Sequence, residues 1–311
     1  MIFTIINFTS IFLLKSIFLN YFFNESKSFQ FPVEISSLVL ISSDYLWSEY
    51  INWILLGWTG LPEELSYINK FDKFQWLNIF ISWLTSLFLY NLFFLIKERF
   101  KYNYYKFKMN NLKFLVINYL SLFIWSLNTI LNCTNNKYSF IEIFLSLLIN
   151  IGITFFYPSL LLYLKNEPNN KQYFNSLNQS YKNNYYMFIE MIFKNLIGIY
   201  ISFYYFWNIG NNYSLITINL VLIIFNFFTC NFKKKTDKKI YQISNFISLS
   251  IIIISEIEII LKKSVFTFIF KMILMGFLTF GNLFIIIKRK CNQKEVNNEN
   301  NFIDIELGQK T

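Results

Sequence analysis

Residues 138–164 read YSFIEIFLSLLINIGITFFYPSLLLYL, and this stretch decides the fold class. It has one charged side chain, Glu142, and is long enough to cross the roughly 30 Å hydrocarbon core of a bilayer as a helix. A span of this kind must be helical, because an open sheet edge leaves backbone groups without hydrogen-bond partners in lipid. The stretch therefore predicts a transmembrane helix.

Six further stretches share this length and apolar character. Together with Tyr138–Leu164 they are Gln75–Ile96, Lys113–Leu131, Met187–Trp207, Tyr213–Phe232, Ile240–Leu261 and Ser264–Ile287. Each is near the roughly 20 residues that a spanning helix needs. The sequence thus predicts an all-α integral membrane protein, a polytopic bundle of seven helices within residues 75–288.

Residues 1–23 are also apolar, apart from a few polar residues and Lys15. A cleaved signal peptide and an uncleaved anchor helix are the two interpretations. No basic residue precedes Lys15 and no small-residue cleavage site follows, which favours the uncleaved helix. The bundle would then have eight helices, with the N-terminus inside. Both interpretations put residues 24–74 on the outer face, with Leu38–Trp58 as an amphipathic helix at the interface.

The lysines fall mostly in alternate connections and in the tail. The basic segments are 97–113, 165–186, 233–239 and 288–311. Because Lys and Arg near a span stay cytoplasmic, these segments are predicted to lie inside. Residues 289–311 have too little apolar content for a core and are predicted to form a disordered cytoplasmic tail. Anionic lipid at this face accounts for the net charge of +10, so we expect no nucleic-acid partner.

The chain has no histidine, which excludes Ser-His-Asp catalysis and histidine-ligated zinc or haem. No glycine-rich phosphate loop is present. Among the predicted spans, only Glu256 and Glu258 come close to a carboxylate cluster for a metal. We therefore expect no enzymatic activity, no cofactor and no metal site.

Ionisable side chains within predicted spans are candidate functional residues, because each costs roughly 2.5–3.5 kcal/mol at mid-helix on insertion scales. Glu190 and Lys194 are four residues apart and can pair on one helix face. Glu256 and Lys271 flank a tight turn and are expected at similar depth in neighbouring helices. An intramembrane coupling site for an ion, a proton or a ligand is one interpretation. The other is a purely structural ion pair.

Uncharged polar residues recur in the spans. Pro158 frees the carbonyl of Thr154 and should kink its helix beside Asn150 and Gly152. A kink near polar groups can shape a cavity or serve packing only. The other asparagines are predicted to lock helices together by hydrogen bonds.

Three classes of function stay open. The short outer loops, the longer inner connection and the basic tail resemble the topology of serpentine receptors from about residue 75 onward. The Asp-Arg-Tyr and Asn-Pro-x-x-Tyr signatures of the rhodopsin-like class are missing, and we assign no family. A transporter or channel is favoured by the polar groups in the spans, and a non-catalytic membrane-complex subunit is the third class. The expected partners are the lipid bilayer and a small solute or ligand. The plasma membrane or an endomembrane is favoured over an organelle inner membrane.

Overall fold

The structure is a computed structural model that describes most, but not all, of the chain. The described residues are 2–23, 27–28, 30–36, 75–98, 103–131, 140–168, 170–183, 185–207, 221, 224, 232–261, 265–289 and 291. The predicted interfacial helix Leu38–Trp58 and the predicted tail beyond 291 lie outside these residues. So does the predicted span Tyr213–Phe232, apart from three positions.

The described chain is helical, and its only β feature is an isolated bridge between Tyr181 and Phe232. The helices are α1 (Ile2–Tyr21), α2 (Gln75–Lys97), α3 (Tyr104–Leu131), α4 (Phe140–Ile151), α5 (Tyr157–Asn166), α6 (Lys171–Leu177), α7 (Tyr186–Trp207), α8 (Lys235–Leu261) and α9 (Val265–Gly276). A π-helical turn at Gly152–Phe156 joins α4 to α5, and another at Phe277–Gly281 continues α9 into helical residues 282–289.

The all-helical fold class is confirmed for the described residues. Three helices there are long and apolar enough to cross a membrane: Phe80–Lys97, Phe140–Asn166 and Val265–Arg289. Three other predicted spans coincide with α3, α7 and α8, but their crossing of a membrane remains a prediction. The count of seven spans is therefore not confirmed.

The core lies between α1, α3, α5, α6 and α7, where α3 packs on both α4 and α7. The two most apolar helices, α4 and α9, have exposed aromatic side chains. Phe140 is 81% exposed and Phe266 is 78% exposed. Exposed apolar surfaces of this kind promote aggregation in water, whereas lipid solvates them without cost.

Contacts between connections gather the lysine-rich segments at one end of the bundle. Lys106 Nζ lies 3.0 Å from Glu98 Oε1, between the end of α2 and the start of α3. At the same end, the Arg289 guanidinium lies 3.0 Å from Asp237 Oδ1, and the Lys233 N–H donates to the Ser180 carbonyl at 3.0 Å. We call this the basic end. Connections at the basic end are those that the sequence predicts to carry most of the lysines, so the helix directions agree with the predicted alternation of basic loops.

The direction of α1 differs from the sequence prediction. Thr9 Oγ1 donates to the Ser82 carbonyl at 3.5 Å, near the start of α2, and the Lys97 ammonium lies 5.4 Å from the Tyr21 ring centre. The helix α1 therefore runs parallel to α2 and ends at the basic end. A first helix that starts at the basic end, as expected for an inner N-terminus, would have run antiparallel to α2.

The first described part of the predicted outer segment packs into the bundle. Residues 27, 28 and 30–36, the 27–36 segment, are helical and buried. Val33 and Ile35 have no exposed surface. The segment begins at the basic end, where Lys27 Nζ donates to the Leu177 carbonyl. The location of residues 24–74 on the outer face stays a prediction.

Cysteine labelling should detect the direction of α1. In a background without the three native cysteines, we expect single cysteines at Tyr21 and Tyr104 to share one side of the membrane. If the basic end is cytoplasmic, both resist an impermeant thiol reagent in intact cells, whereas a cysteine at Phe140 is labelled. Labelling at Tyr21 together with protection at Tyr104 would contradict the parallel arrangement.

Candidate functional site

A buried charge cluster centres on the Lys194 ammonium in α7. This ammonium lies 3.0 Å from Glu34 Oε2 and 3.1 Å from Glu190 Oε1. Gln30 donates to Glu34 Oε1 at 3.0 Å, and the Tyr181 hydroxyl donates to Glu190 Oε2 at 3.0 Å. The predicted pairing of Glu190 with Lys194 is thus confirmed, and the second carboxylate comes from the 27–36 segment.

Burial gives this cluster its energetic weight. The side chains of Lys194 and Glu34 are 3% and 1% exposed, and that of Glu190 is 13% exposed. Removing charges from water costs several kcal/mol per ion, which attraction offsets only when geometry and hydrogen bonding are good. Such a cluster is therefore less favourable than apolar packing would be. Ionisable groups within predicted spans are candidate functional residues for this reason.

Lys27 extends the cluster toward the basic end. Its ammonium lies 4.7 Å from the Phe23 ring centre and 5.1 Å from the Tyr181 ring centre, so two aromatic faces flank it. Its side chain is 6% exposed, and the negative charge of Glu190 acts on its ammonium.

Lys15 approaches the cluster from α1. Its side chain is 2% exposed and its ammonium has no hydrogen-bond partner among the described residues. It interacts electrostatically with Glu34 and Lys194. Counted along their helices at about 1.5 Å per residue, Lys15 lies roughly 9 Å and Lys194 roughly 12 Å from the basic end, so the two are at similar depth.

The local sequence explains why these groups meet. Lys27, Gln30 and Glu34 are spaced i, i+3 and i+7, which places them on one face of a helix. Glu190 and Lys194 at i and i+4 form the matching face of α7. The ring of Phe31 packs 6.3 Å from that of Phe193, centre to centre, and fixes the two segments together.

Sequence reasoning missed Lys27, Gln30 and Glu34 as site residues. The i, i+3, i+7 spacing was the available signal. It was obscured because the segment is too short and too polar to count as a span, and so was assigned to an outer face. Lys15 was visible only as an isolated charge in an apolar helix.

The second predicted pair is described for one partner only. Lys271 is completely buried on α9, which packs against α8. Glu256 lies on α8, but its side chain lies outside the described residues. The contact between Glu256 and Lys271 stays a prediction. The two pairs are not brought into one site by the described contacts.

A π-helical turn precedes Pro158, whereas the predicted kink stays a prediction. The turn covers Gly152–Phe156, and the Tyr157 N–H donates to the Gly152 carbonyl, five residues back. Asn150 Nδ2 donates to Ser126 Oγ at 3.1 Å, so this asparagine joins α4 to α3. Turns of this type often occur at functional sites. Asn150 and Pro158 are not part of the charge cluster.

The predicted role of asparagines in joining helices is confirmed at several positions besides Asn150. Three asparagines donate from Nδ2 to another helix: Asn91 to Asn111 Oδ1 at 2.9 Å, Asn118 to Ser16 Oγ at 2.9 Å and Asn282 to Ser244 Oγ at 2.8 Å. Asn195 Oδ1 accepts a hydrogen bond from the Tyr119 hydroxyl at 2.8 Å. These bonds link different helices and need no ligand to be satisfied. Asn219 and Asn226 lie outside the described residues.

Glu142 is 5% exposed and packed inside the bundle, although it lies only a few residues from the start of its predicted span. It lies in the first turn of α4, where the positive end of the helix dipole stabilises a carboxylate. That stabilisation lowers the cost of its burial.

The cluster has an excess of positive charge. Three ammonium groups, those of Lys15, Lys27 and Lys194, face the carboxylates of Glu34 and Glu190. In their charged forms they leave one positive charge uncompensated among these buried side chains. A small anion near Lys15, or loss of a proton from a lysine, would neutralise it. No group of three acidic, cysteine or histidine side chains suited to a metal occurs in the described part of the chain.

The cavities among the described residues lie at the basic end. One of 530 Å³ opens between α2, α3 and α6, and a neighbouring one of 450 Å³ lies beside Lys233; Ser176 and Gln179 line both. Lys113 lines the larger cavity, and its ammonium lies 5.2 Å from the Phe23 ring centre, while the Lys27 ammonium lies 4.7 Å from the same centre. These two lysines form a short polar run from the cavity toward the buried cluster.

Comparison with known proteins gives no relative to guide the interpretation. No protein-family model, no curated protein and no solved structure matches the chain.

Proposed function

We propose that this chain is a multi-pass membrane transport protein, a transporter or channel for a small anionic solute, with the charge cluster around Lys194 on its path. The seven predicted spans and α1 form the membrane bundle in this proposal. The lipid bilayer is its environment, and no catalytic chemistry is assigned to it. The proposed location is the plasma membrane or an endomembrane.

The observation that carries the proposal is the unpartnered, buried ammonium of Lys15 beside an incomplete set of countercharges. A structural ion network gains nothing from an additional cation without a partner, because a buried charge of this kind is costly. A site that receives an anion in transit needs such a group. The polar run from the basic-end cavity to Lys27 supplies an approach from one side.

The proposal predicts opposite effects of Lys15→Met on stability and on transport. Methionine matches lysine in length and needs no partner, so the free energy of unfolding should stay the same or rise. Solute flux should fall by about tenfold, which corresponds to roughly 1.4 kcal/mol of lost interaction with the anion. The measurement is flux through reconstituted proteoliposomes, over a panel of inorganic anions, small carboxylates, cations and protons.

The control is Lys239→Met, which removes an exposed lysine on α8. It should leave the flux unchanged. Full flux in Lys15→Met would refute the role of Lys15, and absence of flux for every solute in the wild type would refute transport altogether.

A receptor-like signalling protein is the second candidate. The cavities at the basic end, beside the predicted inner connections, support it, because a crevice at that end suits a cytoplasmic partner. Ligand-dependent protection of residues 170–183 from hydrogen exchange, without any solute flux, would favour this candidate over transport.

A further inference from the structure

Glu34 is a carboxylate that two buried lysines from different helices share. Its Oε2 lies 3.0 Å from the Lys194 ammonium on α7, and Lys15 on α1 interacts electrostatically with both groups. Glu34, Lys194 and Lys15 are 1%, 3% and 2% exposed. One carboxylate therefore balances part of the charge of two buried ammonium groups.

Lys194 has a second carboxylate partner that its own helix supplies. Glu190 lies one turn earlier on α7, with Oε1 3.1 Å from the ammonium. The Tyr181 hydroxyl donates to the other oxygen of Glu190 at 3.0 Å. The Lys194–Glu190 pair is thus neutral by itself and is held by helix geometry. Glu34 comes from a separate segment, so another anion can take its place without leaving Lys194 unpaired.

The donors around Glu34 are arranged for the two oxygens of a carboxylate. The Lys194 ammonium lies 3.0 Å from Oε2, and Gln30 Nε2 donates to Oε1 at 3.0 Å. Each oxygen thus has one donor, and an ionised acceptor makes the contacts stronger than those between neutral groups. Gln30 is itself 3% exposed. A free carboxylate in this position would meet the same two donors, which fit its two oxygens better than a single spherical ion.

Lys15 is a second partner for the Glu34 carboxylate. Its ammonium is buried and has no hydrogen-bond partner among the described residues. When a solute carboxylate binds Lys194, pairing with Lys15 prevents Glu34 from becoming an unpaired buried charge, which would be costly. The cluster then holds three ammonium groups and three carboxylates, one of them from the solute. An anion with a single charge is the one that balances the cluster.

We propose that the transported solute is a small monocarboxylate, which binds Lys194 by displacing Glu34 toward Lys15. This inference rests on the proposed function and names its substrate class. Glu34 acts as an internal competitor that occupies the binding position whenever no solute is bound. The 27–36 segment keeps this competitor close, because Phe31 packs on Phe193 and Ser36 Oγ donates to Ser248 Oγ at 2.7 Å.

The first test weakens the competitor without changing the net charge of the cluster. Glu34→Asp keeps the carboxylate on a side chain that is one methylene shorter, so it should reach Lys194 less well. In proteoliposomes that contain the full-length protein, we expect the acetate concentration for half-maximal flux to fall about tenfold relative to the wild type.

The matched control is Glu190→Asp, which shortens the carboxylate that stays in place and should not lower that concentration. Equal decreases in the two variants, or no decrease in Glu34→Asp, would overturn the role of Glu34. Flux of chloride or sulfate without flux of acetate would overturn the substrate class. Circular dichroism of each variant excludes unfolding as the cause.

The second test does not depend on transport. Glu34→Ala removes a group of the size of acetate from beside Lys194 and Gln30. Sodium acetate should raise the thermal unfolding midpoint of this variant in a saturable way, because a ligand that binds the folded state stabilises it. Sodium chloride at equal ionic strength should not, and adding Lys194→Met should abolish the response to acetate.

The wild type should respond to acetate less than Glu34→Ala does, because Glu34 already occupies the position. A Glu34→Ala protein that acetate stabilises no more than chloride does would overturn the carboxylate site, even in the presence of flux. Specific stabilisation by acetate without flux of any solute in the wild type would refute transport and support the binding position.

Discussion

Replacing Lys194 by methionine is expected to lower the free energy of unfolding by about 3–5 kcal/mol, because it removes the ammonium that directly contacts two buried carboxylates. Glu34 and Glu190 both lie within about 3 Å of the lysine ammonium, at 3.0 and 3.1 Å. Protonation of one carboxylate relieves part of the repulsion between Glu34 and Glu190. Gln30 still donates to Glu34 and holds that side chain in place. Unfolding of the purified protein in detergent, followed by circular dichroism, measures the loss.

The matched control is again Lys239→Met, which removes an exposed lysine and should change the free energy of unfolding by less than about 0.5 kcal/mol. A second comparison keeps the net charge of the cluster by combining Lys194→Met with Glu34→Gln. This double variant should recover part of the lost stability, because Glu34 no longer needs the missing ammonium. A Lys194→Met protein as stable as the control would mean that the two carboxylates are not charged in the folded protein.

Much of the helical architecture was predictable because it depends on local properties. The length and apolarity of 140–166 and 265–289 mark each as a single helix long enough to span. Loss of a regular hydrogen bond at Pro158 follows from covalent geometry, since proline has no N–H to donate, but the π-helical form of the turn before it was not predicted. The second turn, at Phe277–Gly281, has no proline and no comparable local cause. It was not predicted.

The position of the 27–36 segment was not predictable by the same means. Its contacts join residues far apart in the chain, such as Ser36 Oγ with Ser248 Oγ at 2.7 Å. Hydropathy distinguishes segments that lie in lipid from segments that lie in water. It does not identify a short polar helix that is enclosed by other helices. Glu34 lies in a segment that was assigned to the outer face, so its pairing with Lys194 could not be predicted.

The same reasoning separates the two predicted ion pairs. Glu190 and Lys194 lie on one helix, and helix geometry alone brings them together. Glu256 and Lys271 depend on the packing of two helices, and the side chain of Glu256 is not among the described residues. A sequence can specify the first kind of pair from spacing, whereas the second needs the tertiary structure.

Glycine at position 198 allows α7 to approach α3, and its replacement should disrupt that contact. A Cβ atom there would lie 2.6 and 2.8 Å from Cδ1 and Cε1 of Phe123 and 3.3 Å from Cγ1 of Ile124. Both neighbours are buried, at 3% and 0% exposure, so neither ring nor aliphatic chain has free space to move into. Small residues at helix contacts in membranes serve this close approach. Gly198→Val is therefore expected to lower the free energy of unfolding by about 2–3 kcal/mol, as in other overpacked cores.

Gly276→Val is the matched control, because no atom outside its own local backbone lies within 4 Å of a Cβ built there. It adds the same side chain to a helix without a clash and should cost well under half as much. The cause of the Gly198 effect can be isolated by combining Gly198→Val with Phe123→Ala. Phe123→Ala alone leaves a cavity and lowers the free energy of unfolding by about 3–5 kcal/mol. In the double variant the added valine methyl groups fill part of that cavity. The loss of stability in the double variant should therefore be smaller than the sum of the two single losses. Strict additivity in chemical unfolding would show that residue 198 does not press against Phe123, and α7 would then contact α3 less closely than the structure has it.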